Sequence, residues 1–155
     1  MNETLKIKIK YFSEDLPEVK VNPKGDLIDL YAAEDTFIEY MDNKLVPLGV
    51  AMELPEGYRA DLCPRSSTFN NFGIIVVNSI GKIDHTYCGD SDEWKLNAFC
   101  LKPKDIINGK SGTLIHKGDK IAQFEIIKIA PKCEFKVVET LGNTDRGGFG
   151  STGKR

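Results

Sequence analysis

The sequence predicts an all-β protein, a sandwich or barrel of short strands, and three observations lead to this prediction. Apolar and polar residues alternate over short segments, which is typical of half-buried strands. Turn-forming residues separate these segments at short intervals. No segment has the apolar periodicity of a helix of ordinary length. With 155 residues, 41% of them hydrophobic, the chain has the size and composition of one globular domain.

The strands are predicted in chain order from alternation and from β-branched runs. Residues 5–10 alternate strictly, whereas 14–24 contains two prolines and predicts a loop. Residues 26–35 suit a helix or a strand equally well. Further strands are predicted at 37–40, 44–53, 58–63, 94–101, 111–115, 121–129 and 135–138. Turns are predicted at 41–43, 55–57, 108–109 and 116–119, and a loop is predicted at 102–110.

One short helical turn is expected in the middle of the chain. Ser66 or Ser67 could cap it, and Gly73 could end it. The β-branched run 74–77 then predicts a strand, and a turn at 79–81 with a return strand at 82–87 predicts a β-hairpin.

The return strand of this hairpin carries Asp84, His85, Thr86 and Tyr87 where apolar alternation would be expected. Buried polar groups are costly unless they serve a ligand or a partner. The hairpin therefore has two interpretations of similar weight: a binding site, or an exposed loop with a solvated face.

Charge and composition exclude several functional classes. A net charge of −2 gives no bulk attraction to nucleic acid or to anionic membranes. No apolar run approaches the roughly 20 residues that a membrane-spanning helix needs. The N-terminal residues lack the apolar core of a signal peptide, so a cytoplasmic protein is expected. The cysteines have no zinc-site spacing, and free, mostly buried thiols are expected at Cys63, Cys88, Cys100 and Cys133.

Residues 142–155 differ from the rest in composition, with five of the 14 glycines and one aromatic residue, Phe149. Such a segment cannot bury enough apolar area to offset its ordering entropy, which predicts a flexible tail. An aromatic side chain among glycines and hydroxyls also suits a segment that closes over a ligand. Residues 148–154 match much of a P-loop, but the chain lacks the following Ser or Thr and the required helix.

Five motifs in a fixed order resemble those of the trimeric dUTPase family. They are Asp-Leu-Tyr-Ala-Ala at 29–33, Pro-Arg-Ser-Ser at 64–67, the predicted hairpin at 78–89, Gly-Asp-Lys-Ile-Ala-Gln at 118–123, and Arg-Gly-Gly-Phe-Gly-Ser-Thr-Gly at 146–153. The resemblance implies a distorted jelly-roll or β-barrel at 1–141, a flexible C-terminal arm at 142–155, and a strand within 26–35. Three features depart from the family: Ser67 where Gly is frequent, Lys120 where Arg is frequent, and a shortened fifth motif.

The activity implied by the resemblance is Mg²⁺-dependent hydrolysis of dUTP to dUMP and pyrophosphate. Asp84 would be the general base that activates water for attack on the α-phosphorus, and Tyr87 would pack under the deoxyribose. Asp29 would hold Mg²⁺ through water. The other substrate-binding residues implied are Asn78, Gly81 and Ile83 around the uracil, Arg65, Ser66, Ser67 and Gln123 at the phosphates, and Arg146, Phe149, Gly150, Ser151 and Thr152 in the arm.

The resemblance also implies a homotrimer with shared active sites, and neither nucleic acid nor membrane as a partner. Two alternatives stay open at this point. One is a dCTP deaminase or a bifunctional deaminase–dUTPase, for which no matching acid–base motif is visible. The other is a regulatory protein that dUTP switches between partners, and the acidic loop at 90–94 is the feature that could serve it.

Overall fold

A computed structural model describes residues 4–153 and confirms the all-β prediction. In this part of the chain there are twelve strands and one short helix. Their bounds are β1 Lys8–Tyr11, β2 Ile28–Tyr31, β3 Thr36–Glu39, β4 Asn43–Pro47, β5 Val50–Glu53, β6 Tyr58–Pro64, α1 Thr68–Phe72, β7 Ile74–Val76, β8 Gly81–Asp84, β9 Lys95–Cys100, β10 Asp105–Ile107, β11 Lys110–Ile115 and β12 Lys120–Lys128. The strand implied within 26–35 is β2.

The strands form four sheets in which every pairing is antiparallel. Their orders are β1-β5, β10-β11-β3, β4-β9-β7 and β2-β12-β6-β8. The longest pairing joins β6 to β12, from Tyr58 opposite Lys128 to Pro64 opposite Ala122. This four-stranded sheet carries Asp29, Asp84 and Gln123, three of the polar residues to which the sequence assigned roles.

One apolar core joins the sheets. Trp94 is 1% exposed and lies edge-to-face against Phe124, with ring centroids 5.2 Å apart. Such aromatic pairs contribute about 0.5–1.5 kcal/mol beyond their buried area. Leu30 of β2, Ile38 of β3, Val46 of β4 and Leu62 of β6 are buried in the same cluster, so strands from different sheets share one interior.

Two predictions of regular structure were incomplete. Residues 44–53 form two strands rather than one, because Gly49 adopts a positive φ of 70° between β4 and β5. The predicted loop 102–110 contains β10, which pairs with β11 through a turn at Asn108 and Gly109, both with positive φ. A two-residue turn of this kind matches the twist of a hairpin.

The predicted hairpin was wrong in its pairing, because residues 74–77 do not pair with 82–87. β7 pairs with β9, whereas β8 pairs with β6 in another sheet. The turn between them contains Ser79 at φ 60°, and the amide of Ser79 donates to the carbonyl of Val76 at 3.1 Å. The turn therefore leads the chain from one sheet to the next, and its polar residues lie where the two sheets meet.

The short helix was predicted correctly. α1 begins after Ser67 at the N-cap position, where the side chain makes no capping hydrogen bond, and ends at Gly73 with φ 67°. The carbonyl of Gly73 accepts hydrogen bonds from the amides of Leu101 and Lys102. The backbones approach closely there, and a Cβ on Gly73 would overlap the carbonyl oxygen of Lys102.

The last predicted strand, 135–138, was wrong. After β12 the chain forms no strand as far as Gly153, and every residue from Lys128 to Gly153 is exposed. The amide of Ile129 donates to the carbonyl of Gly57 at 2.9 Å, at the start of this C-terminal segment, residues 129–153. Phe135, Val137 and Leu141 project into solvent, because no strand of the same chain lies beside them. The division into a domain at 1–141 and an arm at 142–155 stays a prediction. Both ranges extend beyond the described residues.

The cysteines are free, but fewer are buried than expected. Cys100 is buried and Cys63 is half-buried, whereas Cys88 and Cys133 are exposed. Between residues 4 and 153, no helix combines the length and the apolar character needed to cross a bilayer.

The close approach at Gly73 predicts a stability difference between two glycines with positive φ. We expect Gly57→Ala to cost about 1–2 kcal/mol in unfolding free energy, because its surroundings are open and only the backbone conformation is strained. Gly73→Ala should cost about 1–3 kcal/mol more, because its methyl group meets backbone atoms. Urea denaturation at one protein concentration measures both, and equal losses would contradict the contact with Lys102.

Candidate active site

A cavity of ≈ 450 Å³ lies where β6 and β8 meet β4 and β9. We call it the Asp84 cavity. The structure places five of the residues selected from the sequence around it, namely Asn78, Gly81, Ile83, Asp84 and Tyr87. Six further lining residues were missed in the sequence: Leu45, Leu62, Lys82, Glu93, Trp94 and Lys95. Leu45, Leu62 and Lys95 come from strands outside the motif, so no local signal could have found them.

The alternation of β8 presents different groups to each side. Ile83 packs against the core, whereas the side chain of Asp84 is exposed. The amide of Tyr87 donates to the carbonyl of Asp84 at 3.1 Å, which places both residues in one turn at the end of β8. A Cβ on Gly81 would lie 3.3 Å from Leu62 Cβ, so only a glycine leaves this part of the wall unfilled.

The loop after Tyr87 is more than an acidic surface loop, which was its simplest interpretation from sequence. Trp94 enters the core, and Glu93 lines the Asp84 cavity. The hydroxyl of Tyr87 donates to the backbone carbonyl of Glu93 at 3.1 Å. The sequence did offer a signal in Trp94 itself, since Trp side chains are highly buried on average.

A charged triad stabilises the strand pair that carries Asp84. Asp61 of β6 accepts hydrogen bonds from Arg59 Nε at 3.0 Å and from Lys82 Nζ at 2.7 Å. Burial by itself raises the pKa of the Asp61 carboxyl, but the hydrogen bonds from Lys82 and Arg59 outweigh it, so the pKa lies below the usual value of 3.8. Arg59 lies directly opposite Asp84 in the β6–β8 register.

A second group of predicted residues lies around Arg65, and we call it the Arg65 cluster. Arg65 Nε donates to Asp29 Oδ1 at 2.8 Å, and Lys120 Nζ lies 3.6 Å from Asp29 Oδ2. Gln123 pairs with Asp29 across β2 and β12, and its side-chain amide donates to the carbonyl of Pro64. Two cations around one carboxylate leave this surface with a positive balance.

The start of α1 belongs to the same cluster. Thr68 is fully buried, and its hydroxyl accepts from the amide of Arg65 and donates to the carbonyl of Ile121. These bonds attach the turn before α1 to β12. Ser66 is exposed and Ser67 is half-buried at this turn.

Asp84 and Arg65 lie at opposite ends of β6, although the Asp84 cavity extends along the strand as far as Leu62. Asp84 is opposite Arg59, and Arg65 follows six residues later along the chain. At about 3.3 Å per residue, this corresponds to roughly 20 Å. Asp84 is therefore remote from the residues assigned to phosphate within one protomer, whereas Gly81, assigned to uracil, lies opposite Leu62 and closer to Arg65.

The residues predicted in the arm lie outside both groups. Arg146, Phe149, Gly150, Ser151 and Thr152 are all exposed, and the exposure of Phe149 reaches 115% of its reference value. Two local turns order this stretch, with the amide of Ser151 donating to the carbonyl of Gly148 at 3.0 Å and that of Gly153 to Gly150 at 2.9 Å.

Asp29 is the carboxylate assigned to a metal, and its surroundings limit how it could act. Both of its oxygens face cations, so direct coordination competes with Arg65 and Lys120. Within residues 4–153, no three His, Cys, Asp or Glu side chains are grouped to hold an ion. The donor set suits a hydrated Mg²⁺ to which an anionic ligand supplies most oxygens, because Mg²⁺ keeps several waters.

Comparison with known proteins identifies relatives over nearly the whole chain. The sequence profile of the dUTPase family matches residues 21–153. The SPbeta prophage-derived deoxyuridine 5'-triphosphate nucleotidohydrolase YosS of Bacillus subtilis (strain 168) is 50% identical over 151 residues, which cover 97% of this chain and all of the relative.

Solved structures agree with the predicted jelly-roll-like fold. A variant dUTPase of Staphylococcus bacteriophage 80alpha, with dUpNHpp, matches with a TM-score of 0.76 at 24% identity, over 97% of this chain and 99% of that one. A variant dUTPase from phage phi11 of S. aureus, described for the coordination of a structural Mg(II) ion, has a TM-score of 0.70 at 24% identity, over 88% and 99%.

The Asp61 triad predicts a pH-dependent contribution to stability. Asp61→Asn should lower the unfolding free energy at pH 7 by about 1–3 kcal/mol, because hydrogen bonds between charged groups are lost. Since the folded-state pKa is lowered, the wild-type advantage is complete above pH 3.8 and is lost as pH falls through the folded-state value. Urea denaturation from pH 7 to pH 3 measures this difference.

Glu125→Gln is the matched control, because Glu125 lies opposite Asp61 on β12 and is exposed. We expect a change within about 0.5 kcal/mol. A constant difference between wild type and Asp61→Asn at every pH would show that the carboxylate charge does not carry the effect.

Proposed function

The chain belongs to the dUTPase family, and we propose that the Asp84 cavity is where it binds and hydrolyses dUTP. The reaction of the chain is hydrolysis of dUTP to dUMP and pyrophosphate. The observation that carries the assignment of the site is the convergence of Asp84, Tyr87 and the Asn78–Gly81 turn on one cavity, although the turn joins two different sheets.

Asp84 acts as the general base in this proposal. Its exposed carboxylate, at the end of β8, accepts a proton from a water molecule that attacks the α-phosphorus. The bond between the α-phosphorus and the bridging oxygen breaks, and pyrophosphate leaves with the electron pair. A positioned base contributes about 10²–10⁴-fold to the rate of such a step.

The turn before β8 and the residues after it select the nucleoside. Backbone groups at Asn78 to Gly81, together with Ile83, read the uracil edge, and cytosine would leave its exchanged donors and acceptors unpaired. The Gly81 position is narrow because Leu62 lies behind it. The Tyr87 ring lies under the deoxyribose and leaves no space for a 2′-hydroxyl.

The Arg65 cluster receives the triphosphate. Arg65 offers a planar fork that suits phosphate oxygens, and the turn amides and hydroxyls of Ser66 and Ser67 add donors. Gln123 lies beside them on β12. When phosphates bind, Arg65 can exchange its contact with Asp29 for a contact with the more highly charged ligand.

The separation of about 20 Å along β6 between the positions of Asp84 and Arg65 supports an active site shared between protomers. We infer a homotrimer in which the Asp84 cavity of one protomer adjoins the Arg65 cluster of another. The C-terminal segment would cover a neighbouring protomer's site, with Phe149 stacked on uracil and Arg146, Gly150, Ser151 and Thr152 at the phosphates. Exposed Phe135, Val137 and Leu141 support this, because such side chains gain stability when another chain buries them.

Mg²⁺ is the cofactor in this proposal, held through water by Asp29 and mainly by the phosphates of the substrate. When bound, it neutralises part of the triphosphate charge. Lys120 lies beside the Asp29 carboxylate and can keep it oriented when Arg65 turns to the phosphates.

The two alternatives have less support. Deamination of dCTP requires a further acid–base residue, and the matched relatives are dUTP nucleotidohydrolases. A regulatory protein partner stays a proposal without a contact that favours it, since Trp94 and Glu93 of the 90–94 loop serve the core and the cavity. The cytoplasmic location stays a prediction.

Replacement of the general base tests the central assignment. We expect Asp84→Asn to lower kcat for dUTP by about 10²–10⁴-fold while binding of a non-hydrolysable dUTP analogue is retained. Pyrophosphate release and calorimetric titration measure the two properties. Asp26→Asn, an exposed change of the same charge, is the control and should keep full activity. Wild-type turnover in Asp84→Asn would remove Asp84 from the mechanism.

Mixed trimers test whether the arm acts on another protomer. Asp84→Asn and a chain that stops at Asn143 should each be nearly inactive. After the two are unfolded and refolded together in equal amounts, a shared site needs one intact Asp84 and one intact arm from different protomers. About a quarter of wild-type activity should return. No recovery, with a trimeric mass confirmed by ultracentrifugation, would show that the arm covers its own protomer.

A further inference from the structure

We propose that Glu93 is a positioning residue that fixes the ring of Tyr87, and thereby sets the discrimination between deoxyribose and ribose. The inference rests on the proposed function of the Asp84 cavity. It assigns a task to residues 90–94, the part of the loop between β8 and β9 that none of the five motifs covers.

The first observation is that packing alone does not hold the Tyr87 ring. The residue is 42% exposed, and its backbone is fixed at one end by the hydrogen bond from its amide to the carbonyl of Asp84. The other end of the side chain is fixed by the hydrogen bond from its hydroxyl to the carbonyl of Glu93, at 3.1 Å. The ring therefore spans two backbone anchors, and its angle depends on where the second anchor lies.

The second observation is that the side chain of Glu93 is itself held by the backbone. Its Oε1 accepts a hydrogen bond from the amide of Gly49 at 3.0 Å. Gly49 is closely packed: φ is 70°, a Cβ would overlap Leu16 Cδ1, and its carbonyl accepts from the amide of Phe12 at 2.9 Å. On either side of Gly49, the amide of Leu48 donates to the carbonyl of Trp94, and the amide of Trp94 donates to that of Val50.

The third observation is that the rest of the loop is closed on itself and on β1. The amide of Gly89 donates to Asp92 Oδ2 at 2.8 Å, and the amide of Asp92 donates back to the carbonyl of Gly89 at 3.1 Å. Lys10 Nζ donates to the carbonyl of Asp90 at 2.8 Å. The loop thus holds the Glu93 carbonyl as a rigid acceptor rather than a mobile one.

These contacts form one line from the core to the sugar-facing ring. Gly49 holds the Glu93 carboxylate, the Glu93 carbonyl holds the Tyr87 hydroxyl, and the ring bounds the space where a 2′-hydroxyl would lie. Loss of the Glu93 carboxylate should let the ring move and admit the ribonucleotide.

The test compares kcat/KM for dUTP with kcat/KM for UTP in wild type, Glu93→Ala, Glu93→Gln and Tyr87→Phe. We expect the preference for dUTP to fall about fivefold in Glu93→Ala and in Tyr87→Phe, as the loss of one hydrogen bond implies. Most of the change should be a rise in the value for UTP. Glu93→Gln keeps an acceptor oxygen and should stay within about twofold of wild type.

The double variant Tyr87→Phe with Glu93→Ala should be no less selective than either single variant, because both remove the same interaction. Asp90→Asn is the loop control, since it leaves the backbone acceptor of Lys10 in place, and it should keep the wild-type ratio.

An unchanged ratio in Glu93→Ala or in Tyr87→Phe would overturn the inference, and so would a loss in Glu93→Gln as large as in Glu93→Ala, which would indicate a role for the charge itself. If Glu93→Ala does not fold, Tyr87→Phe decides alone. A wild type that hydrolyses dUTP no better than UTP would overturn the proposed function as well, whereas a selective wild type with selective variants would overturn only this inference.

Discussion

The pairing of β6 with β12 and β8 is the constraint on which the site depends. β6 is paired with β12 on one side and with β8 on the other over most of its length, so its position in the sheet is fixed. The Asp61 triad connects β6 to β8, and the buried Thr68 attaches the C-terminal end of β6 to β12. β6 therefore fixes two chemically different ends, an acidic residue at the Asp84 cavity and an arginine in a cationic cluster. The distance between Asp84 and Arg65 follows directly from strand geometry.

Much of the fold and part of the site could be predicted from local sequence. Alternation located most strands, and Gly73 correctly marked the end of α1. The motif that contains Asp84 and Tyr87 does line a cavity. What local sequence could not supply was pairing: β7 and β8 are adjacent in the chain, yet they belong to different sheets because the turn at Ser79 redirects the backbone. Leu45, Leu62 and Lys95 line the cavity for the same reason, since they arrive there through long-range register.

The errors have a common physical origin. A strand is stable only beside a partner, and sequence alternation does not reveal where that partner is. Residues 135–138 have the composition of a strand, but their own chain offers no edge to receive them. The loop 90–94 has the composition of a solvated surface, but Trp94 enters the core and carries Glu93 with it. In both places, tertiary context overrides a correct local tendency.

The composition of the C-terminal segment also has a consequence for the chain on its own. A newly synthesised chain exposes the apolar side chains of Phe135, Val137 and Leu141. Unpaired apolar segments of this kind promote aggregation. Charged residues interrupt the apolar ones at Lys132, Glu134, Lys136 and Glu139. Charged residues placed in this way reduce non-specific association and leave the strand-forming pattern intact. The charged residues thus keep the exposed segment hydrated, and the apolar residues between them can bind a complementary apolar surface.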